Sequence, residues 1–395
     1  MQYVKETILF VLLTVQLPTI ANASINKNRF LTYNKTAFKK SSQAKKNPIA
    51  GSIHLSKYRE KVLPNSNKKG ASNFPYQWVS SSSFALSSDL IYDPNNPEQL
   101  SSLKPESVIY VESIHLSDFQ KQSSKLLHHK FVIISGSDDN SIPSEIPELN
   151  AQLLLQNPNL IHWHTQNYDG SVVHPKLSAV PIGPNFHSLD PDSGEYHFEW
   201  INRKGKNKTS TYMEQSQELT SLSMNMPPIT ERIPKVYYDA HTLTDNRHLN
   251  DPILNSDPKK PYLTRSQLAK MFRDKSFFFE QDGDIPRHEQ WQIRTQYVFS
   301  MSPVGNGLDC HRTWESLMLG QIVIVQSTPL DSLYEGLPVV IVNNWNEVTQ
   351  ENLDIWRKKY SDAASNPDYK KRLTFEYWYD KTHDASPVVM KKLRS

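Results

Sequence analysis

Glycine is scarce in this sequence, with 12 glycines among 395 residues, well under the ~7% that is usual in proteins. A chain this poor in glycine does not use it as filler, so a cluster of glycines carries information. Four of the 12 lie in one C-terminal window, at Gly305, Gly307, Gly320 and Gly336. Glycine is needed where φ is positive or where another group comes close to the backbone. The window is therefore predicted to contain a functional loop.

Cysteine and net charge are also low. The single cysteine, Cys310, excludes an internal disulfide framework, so the hydrophobic core alone must hold the chain together. The 44 lysines and arginines against 41 aspartates and glutamates give a net charge of +3, which does not indicate a nucleic-acid-binding protein. With 395 residues, the chain is long enough for two domains of ~100–200 residues each.

No hydrophobic run is long enough for a membrane span. The apolar run at residues 8–20 is shorter than the ~20 residues that a transmembrane helix needs. Lys5 precedes this run and Ala21-Asn22-Ala23 follows it, which predicts a signal peptide over residues 1–23. An uncleaved short anchor remains the alternative. Residues 24–73 are rich in Asn, Lys and Ser and predict a flexible stem.

Short apolar runs rich in β-branched and aromatic residues predict buried strands. They fall at 108–111, 131–134, 160–163 and 180–183, and again at 235–238, 277–279, 297–301, 322–325 and 339–342. Helix-like segments alternate with them at 117–127, 262–273, 288–296 and 311–319, whereas 188–228 is polar and irregular. This alternation predicts parallel sheets, in an N-terminal domain over 74–231 and a C-terminal domain over 232–372. The aromatic-rich tail, 373–395, is predicted to contain a helix that bridges both domains.

The glycine window predicts a βαβ unit in which residues 302–310 form the loop and His311 begins the helix. Ligands of such sheets bind outside the carboxyl ends of the strands, and a helix start suits phosphate. Cationic side chains at His311 and Arg312 oppose the helix dipole and make sense if an anion lies between them. Glu315 is one turn further on and can face the same side as Arg312. On spacing alone, a plain Arg312–Glu315 salt bridge on a solvated face explains the pattern equally well.

The same residues resemble the C-terminal signature of the exostosin-like glycosyltransferases of the GT47 type. Ser302-Pro303 and residues 305–317 match S-P-x-G-N-G-L-D-C-H-R-T-W-E-(A/S)-L nearly residue for residue, and residues 330–338 match the segment that follows. Upstream, residues 163–183 resemble the patterns W-x-x-Q-N, H-P-K-L and P-I-G. The resemblance covers residues 75–378. It departs at Val304, where many members carry Arg, and at 320–323, where the usual G-C-I-P reads G-Q-I-V.

The resemblance implies an α/β protein of the GT-B fold, with two Rossmann-like domains facing a central cleft and the donor in the C-terminal one. It implies an inverting transfer from a nucleotide-sugar, first of all a UDP-sugar, to a glycan or glycoprotein acceptor, with no metal or other cofactor. Glu315 is then expected to bind the ribose, and Arg312 the leaving diphosphate. The expected donor-binding residues are Gly305, Asn306, Gly307, Asp309, His311, Arg312, Glu315 and Arg247.

Such a transfer also needs a group that takes the proton of the acceptor, which the resemblance places in the N-terminal domain. Asp138 and Asp139 are the candidate catalytic residues, because they follow a buried strand at the end that faces the cleft. A turn or helix-capping role explains these two residues as well.

Two other classes of protein stay open. The spacing of His162, His164 and His174 suits metal ligands and hence a metal-dependent hydrolase, although alternate residues of one strand also give it. The triplets Asp190-x-Asp192 and Asp282-x-Asp284 resemble the metal motif of other transferases, but neither follows a convincing strand. A carbohydrate-binding protein without catalysis, derived from a transferase, stays open because of Val304, although the intact Arg312 and Glu315 argue against it.

The predicted signal peptide and the need for a nucleotide-sugar donor together indicate the cellular compartment of the protein. We expect the Golgi or ER lumen if the source is a eukaryote, and an exported or periplasmic protein if it is a bacterium. The expected partners are the donor and the acceptor, with no nucleic acid. The sequence leaves the sugar, the linkage and the oligomeric state open.

Overall fold

Two five-stranded parallel β-sheets organise the chain. The computed structural model describes residues 77–383, except for 127, 187–211, 243–246, 250, 252–253, 256, 259–260, 283–284, 286 and 367. All described residues belong to one compact unit, which spans Pro48–Ser395. The predicted signal peptide, the predicted stem and the triplet at Asp190 and Asp192 lie outside the described residues.

The N-terminal sheet has the strand order β1-β2-β3-β4-β5, with every neighbouring pair parallel. Its strands are β1 (Leu90–Ile91), β2 (Ser107–Glu112), β3 (Phe131–Gly136), β4 (Leu160–Thr165) and β5 (Leu177–Ala179). The helices along it are α1 (Ser81–Ser87), α2 (Leu116–Leu126) and α3 (Ala151–Leu155). Because the strands follow one another in chain order, this sheet has no point at which the winding reverses.

The C-terminal sheet does reverse, because its order is β10-β9-β8-β6-β7. Its strands are β6 (Ile233–Tyr238), β7 (Phe278–Glu280), β8 (Tyr297–Met301), β9 (Ile322–Gln326) and β10 (Val339–Val342). After β7 the chain crosses to the other side of β6 and adds β8, β9 and β10 in turn. The topological switch point therefore lies between β6 and β8, where ligands of doubly wound sheets bind.

Further helices pack around the second sheet and join it to the first. They are α4 (Tyr212–Asn225), α5 (Arg265–Phe272), α6 (Arg287–Arg294), α7 (His311–Met318), α8 (Gln350–Ser365), α9 (Asp368–Lys371) and α10 (Phe375–His383). Short 3₁₀ helices occur at Pro97–Ser102, Ser113–His115, Ile229–Glu231, Asp331–Tyr334 and Trp345–Glu347. No helix in the described part of the chain is long and apolar enough to cross a membrane.

The core consists of three clusters of buried side chains, one of which is shared by the two sheets. Alternation along β2 sends Val108 and Tyr110 into the shared cluster and Ile109 into a cluster on the outer face of the first sheet. Along β9, Val323 enters the shared cluster and Ile324 enters the outer cluster of the second sheet. Successive strand residues point to opposite faces of a sheet. Because β2 and β9 are apolar on both faces, protein covers each of them on both sides.

The C-terminal helix α10 returns to the first sheet and packs on α1 and β3. Backbone hydrogen bonds fix this return, since Phe375 N donates to Gln77 O at 2.9 Å and Val79 N donates to Leu373 O at 3.1 Å. Trp378 joins the shared core. The helix α4 also joins the two halves. It precedes the predicted boundary at residue 231 but packs against α6 and α7 of the second half. The two halves are thus tied together at both crossings of the chain.

The predicted fold class is confirmed: the chain is an α/β protein with two Rossmann-like parallel-sheet halves, the arrangement of a GT-B fold. The strand at 180–183 is a wrong prediction, because the last strand of the first sheet is Leu177–Ala179. Gly183 has a φ of +69°, which lies outside the β region that a strand requires. The polar segment 188–228 contains the helix α4, which its polar composition concealed.

Candidate functional site

The carboxyl ends of the two sheets meet around the loop that follows β8. Asp239 comes directly after β6, and α7 begins directly after the loop, so both lie at the switch point of the second sheet. The segment after β5 reaches the same place, where Ile182 N donates to the Asp309 carboxylate at 2.8 Å. The predicted donor loop therefore lies between the two sheets.

Three arginines and two carboxylates form a buried network at the switch point. Arg287 and Arg294 stand at positions i and i+7 of α6, on either side of Trp291 at i+4, and thus on one helix face. Arg294 Nε and Nη2 donate to Asp239 Oδ2 at 3.0 and 2.6 Å, and its Nη1 donates to Glu315 Oε2 at 2.9 Å. Arg294 is thereby fully engaged with both carboxylates.

The carboxylate of Glu315 has no acceptor position left for a ribose hydroxyl in this conformation. Its Oε1 accepts from Arg287 Nη2 and from Asn185 N, and its Oε2 accepts from Trp291 Nε1 and Arg294 Nη1. Burial alone raises the pKa of Glu315, but the charges of Arg287 and Arg294 outweigh it and hold the pKa at about 2. Glu315 thus organises the arginines, which differs from the ribose role expected for it.

Arg312 faces the same network with one nitrogen to spare. Its Nε donates to Asp239 Oδ1 at 2.6 Å, while its Nη1 is buried and has no hydrogen-bond partner among the described residues. Arg287 Nη1 is likewise buried and without a hydrogen-bond partner among the described residues. Burial raises the pKa of Asp239, but Arg294 and Arg312 outweigh it and lower the pKa. Three guanidinium groups therefore share two ionised carboxylates, and the charge of Glu218 also acts on Arg287. Two buried nitrogens that carry N–H groups remain for an anion.

The glycines of the loop make room for side chains of the protein itself. A Cβ at Gly305 would lie 2.4 Å from Arg265 Nη2, and a Cβ at Gly307 would lie 2.8 Å from the amide of Asn167. Arg265 Nε also donates to Val304 O at 3.1 Å. Neither loop glycine has a positive φ. The glycines are needed because side chains of the protein pack closely against the loop. The sequence had indicated that a ligand comes close to it instead.

Asn306 and Asp309 hold the loop in place. His248 Nε2 donates to Asn306 O at 2.9 Å. The Asp309 carboxylate accepts from Ile182 N and from Trp314 Nε1, and Asp309 N donates to Asn167 Oδ1 at 2.8 Å. Burial raises the pKa of Asp309 to about 7, against the lowering effect of these donors. Asp309 therefore clamps the two sheets together, with no oxygen turned to a ligand.

His311 is held by the first half of the chain at the start of α7. Its Nδ1 lies 2.7 Å from Gly183 O, and since a carbonyl only accepts, Nδ1 carries the hydrogen. Burial lowers the pKa of His311. The side chain is therefore neutral at neutral pH, and its Nε2 carries a lone pair.

The other predicted site residues lie apart from the arginine network. Asp138 Oδ1 accepts from Asn140 N at 2.9 Å, which is a turn interaction. Asp139 is exposed, and its charge acts on His311. Arg247 Nη2 donates to Asn140 Oδ1 and Glu145 Oε2 at 3.0 and 3.1 Å. Arg247 thus pairs with the first half of the chain and adds no charge to the network.

Sequence reasoning missed four residues of this region: Asp239, Arg287, Arg294 and Glu112. The i, i+4, i+7 spacing of Arg287, Trp291 and Arg294 was a readable signal for a charged helix face, but nothing marked its partners. Glu112 ends β2 and is buried, and burial together with the charge of Asp138 raises its pKa to about 7. Like His311, Glu112 is a group that can accept a proton, and it lies on the side of the first sheet.

The three histidines considered as metal ligands form a different arrangement. His162 Nε2 and His164 Nδ1 both lie 2.9 Å from Ser178 Oγ, and the centroids of their rings lie 4.3 Å apart with the ring planes tilted by 35°. Within the described ranges, no group of three or more His, Cys, Asp or Glu side chains is placed to hold a metal ion. The hydrolase alternative therefore gains no support from geometry.

These histidines predict a loss of stability in acid. Burial and the charge of His174 lower the pKa of His162 from 6.5 to about 4, so the unfolded chain binds the proton more readily. Its contribution is complete above pH 6.5 and declines as the pH falls to 4, by roughly 3 kcal/mol. We expect His162→Gln, which keeps a nitrogen near Ser178, to flatten the decline in melting temperature over this window. His129→Gln at an exposed position is the control, and equal curves for both variants would contradict the prediction.

No protein-family model and no curated protein matches the chain. Similar solved structures include a UDP-forming α,α-trehalose-phosphate synthase from Burkholderia vietnamiensis, at 13% identity over 76% of this chain and 74% of that one, with a TM-score of 0.32. The α,α-trehalose 6-phosphate synthase from Burkholderia multivorans has 11% identity over 87% and 81%, with a TM-score of 0.35. The wall teichoic acid polymerase TagF has 11% identity over 87% and 99%, with a TM-score of 0.22. Similarities this low carry no argument about fold or function.

Proposed function

We propose that this chain is a glycosyltransferase that binds a nucleotide-sugar through its diphosphate at the arginine network. The observation that carries the proposal is a pair of buried donors: Arg287 Nη1 and Arg312 Nη1 lack acceptors among the described residues, in a network where three guanidinium groups share the carboxylates of Asp239 and Glu315. Buried N–H groups without partners are costly. A diphosphate supplies the missing acceptors, and its negative charge suits the guanidinium groups.

The position of the network supports a nucleotide over other anions. It lies at the switch point between β6 and β8, where doubly wound sheets bind nucleotides. The helix α7 begins at His311, next to Arg312, and a helix start favours an anion. The resemblance of residues 305–317 to exostosin-like glycosyltransferases favours a sugar nucleotide, and within that class a UDP-sugar.

The reaction proposed is a single inverting displacement on a glycan or glycoprotein acceptor. Charge builds up on the diphosphate as its bond to the sugar breaks, and preorganised cations at that point stabilise the transition state. Arg312 and Arg287 are the groups that would take this charge, with no metal ion involved. The signal-peptide pattern at residues 1–23 favours action in the secretory pathway or outside the cell.

Calorimetric titration of the purified chain with UDP and with GDP tests the proposal. We expect UDP to bind, and Arg312→Ala to weaken binding roughly 10–100-fold, because a charge-assisted hydrogen bond contributes about 1.5–3 kcal/mol. Asp239 keeps its two bonds from Arg294 in this variant, so the fold should survive.

Arg247→Ala is the matched control, since Arg247 was also expected to bind the donor but pairs with Asn140 and Glu145. Its affinity for UDP should stay within about twofold of the wild type. A folded wild-type chain that binds neither nucleotide would refute the donor site. Tight UDP binding together with intact affinity in Arg312→Ala would move the site away from the network.

A further inference from the structure

We propose that His311, in place of Asp138 and Asp139, which the sequence suggested, accepts the proton of the attacking hydroxyl group; this rests on the proposed transferase function. His311 was expected only to bind the donor. Its position next to Arg312 brings it to the arginine network, and its hydrogen bond to Gly183 brings it to the first sheet. It is therefore a titratable side chain that joins the two halves of the site.

The hydrogen bond to Gly183 fixes which nitrogen of His311 is basic. Nδ1 donates to Gly183 O at 2.7 Å, so the neutral ring keeps its lone pair on Nε2. Nε2 makes no hydrogen bond to any residue that the structure describes, and it is not among the fully buried atoms. The lone pair of Nε2 is therefore not taken up by a hydrogen bond within the described protein.

The charges around His311 suit a side chain that is neutral before the reaction and becomes protonated during it. Burial lowers its pKa, and so does the charge of Arg287. The Gly183 carbonyl and the charges of Glu315 and Asp139 act in the opposite direction. The lowered pKa keeps the base free at neutral pH, while the carbonyl and the two carboxylates stabilise the imidazolium once it forms.

The proposed step is a single displacement at the anomeric carbon of the donor sugar. The acceptor oxygen forms a bond to the anomeric carbon as the bond from that carbon to the diphosphate oxygen breaks. The electron pair of the broken bond stays on the diphosphate, next to Arg312. The hydroxyl proton moves to His311 Nε2, and the imidazolium later releases it to solvent.

The competing residues are less well placed. Asp138 is engaged in a turn with Asn140, and Asp139 is exposed on the same loop. Burial raises the pKa of Glu112 to about 7, but the charged groups beside it, Asp138 and His115, belong to the first half of the chain. Only His311 sits on the helix that also carries Arg312.

The first measurement is the ¹⁵N NMR spectrum of the chain labelled at histidine, with the His311 signal assigned by its loss in His311→Gln. We expect a neutral ring with the hydrogen on Nδ1 at pH 7, and an apparent pKa below 6.5. A charged ring at pH 7, or a neutral ring with the hydrogen on Nε2, overturns the proposal. This result does not depend on turnover or on the identity of the sugar.

The second measurement is UDP release from UDP-glucose, UDP-galactose and UDP-N-acetylglucosamine, with water as the acceptor. His311→Asn places an amide N–H where Nδ1–H donates to Gly183 O and removes the base. We expect kcat to fall 10²–10⁴-fold, the acid limb of the pH–rate profile to disappear, and KM to change less than threefold. His311→Gln should behave in the same way.

Calorimetry with UDP separates this test from that of the proposed function. His311→Asn should bind UDP within about threefold of the wild type. If the wild type binds no UDP, the donor site fails, while the NMR result still decides the state of His311. If Glu112→Gln removes the acid limb and His311→Asn does not, the proton goes to Glu112 and the proposal is overturned.

Discussion

Glu315→Ala is expected to lower the free energy of unfolding by roughly 3–5 kcal/mol, the cost of leaving buried charges without their partner. Glu315 accepts from Arg287, Trp291 and Arg294. Its side chain is only 6% exposed, so water cannot replace it. Removal leaves two guanidinium groups facing each other across a cavity. Urea denaturation followed by circular dichroism measures the loss.

Glu335→Ala is the control for this change. Glu335 is exposed, and surface substitutions usually stay within about 0.5 kcal/mol. A plain salt bridge on a solvated face, the alternative left open by spacing, predicts a loss of at most about 1 kcal/mol for Glu315→Ala. A loss that small would show that Glu315 does not organise the network.

The pH dependence of the same residue has a definite sign. The folded pKa of Glu315 is about 2, whereas the unfolded chain has about 4.3. Its contribution is therefore present above pH 4.3 and is lost as the pH falls towards 2. Glu315→Gln should remove this part of the acid transition.

Gly183→Ala is the second change with a large expected effect. A Cβ at this position would lie 2.0 Å from Val79 O and 2.8 Å from Ser80 Cα, and the φ of Gly183 is +69°. The positive φ alone costs on the order of 1–3 kcal/mol for a residue with a side chain, and overpacking adds about as much. The atoms in the way belong to the backbone and cannot rotate aside.

Gly336→Ala is the matched control for Gly183→Ala. Gly336 has a φ of +71°, but its added Cβ would meet only the mobile end of the Arg372 side chain, at 3.1 Å. The difference between the two variants in urea denaturation thus isolates the backbone collision. In Gly183→Ala the carbonyl that accepts from His311 also moves, so the His311 ¹⁵N signal should shift. Equal stabilities for both variants would contradict this account.

Much of the fold was predictable because the signal is local. The strands at 297–301 and 339–342 have the same bounds in the structure, and runs buried on both faces can satisfy their apolar side chains only inside a parallel sheet. The helix at His311 was also readable from its apolar spacing. The predicted strand at 180–183 is wrong, because a short apolar run beside a glycine has the same composition in an irregular segment.

The site was only half predictable. The sequence indicated that Arg312 and Glu315 belong to an unusual helix start, and the structure places both in one buried network. It did not indicate Asp239, which is 73 residues away from Arg312 in the chain. Spacing along a helix shows which side chains share a face, but not which distant side chains meet that face.

By itself the sequence determined the alternation of strands and helices, the βαβ unit around the glycine loop and the clustering of charge at the start of α7. These follow from local periodicity and from the conformational needs of individual residues. Only the tertiary structure decided that Glu315 is saturated by arginines, that Gly305 and Gly307 yield space to Arg265 and Asn167, and that His311 bonds across to Gly183. The reversal of strand order at β6 brings these groups together, and such a long-range pairing is set by how whole sheets pack.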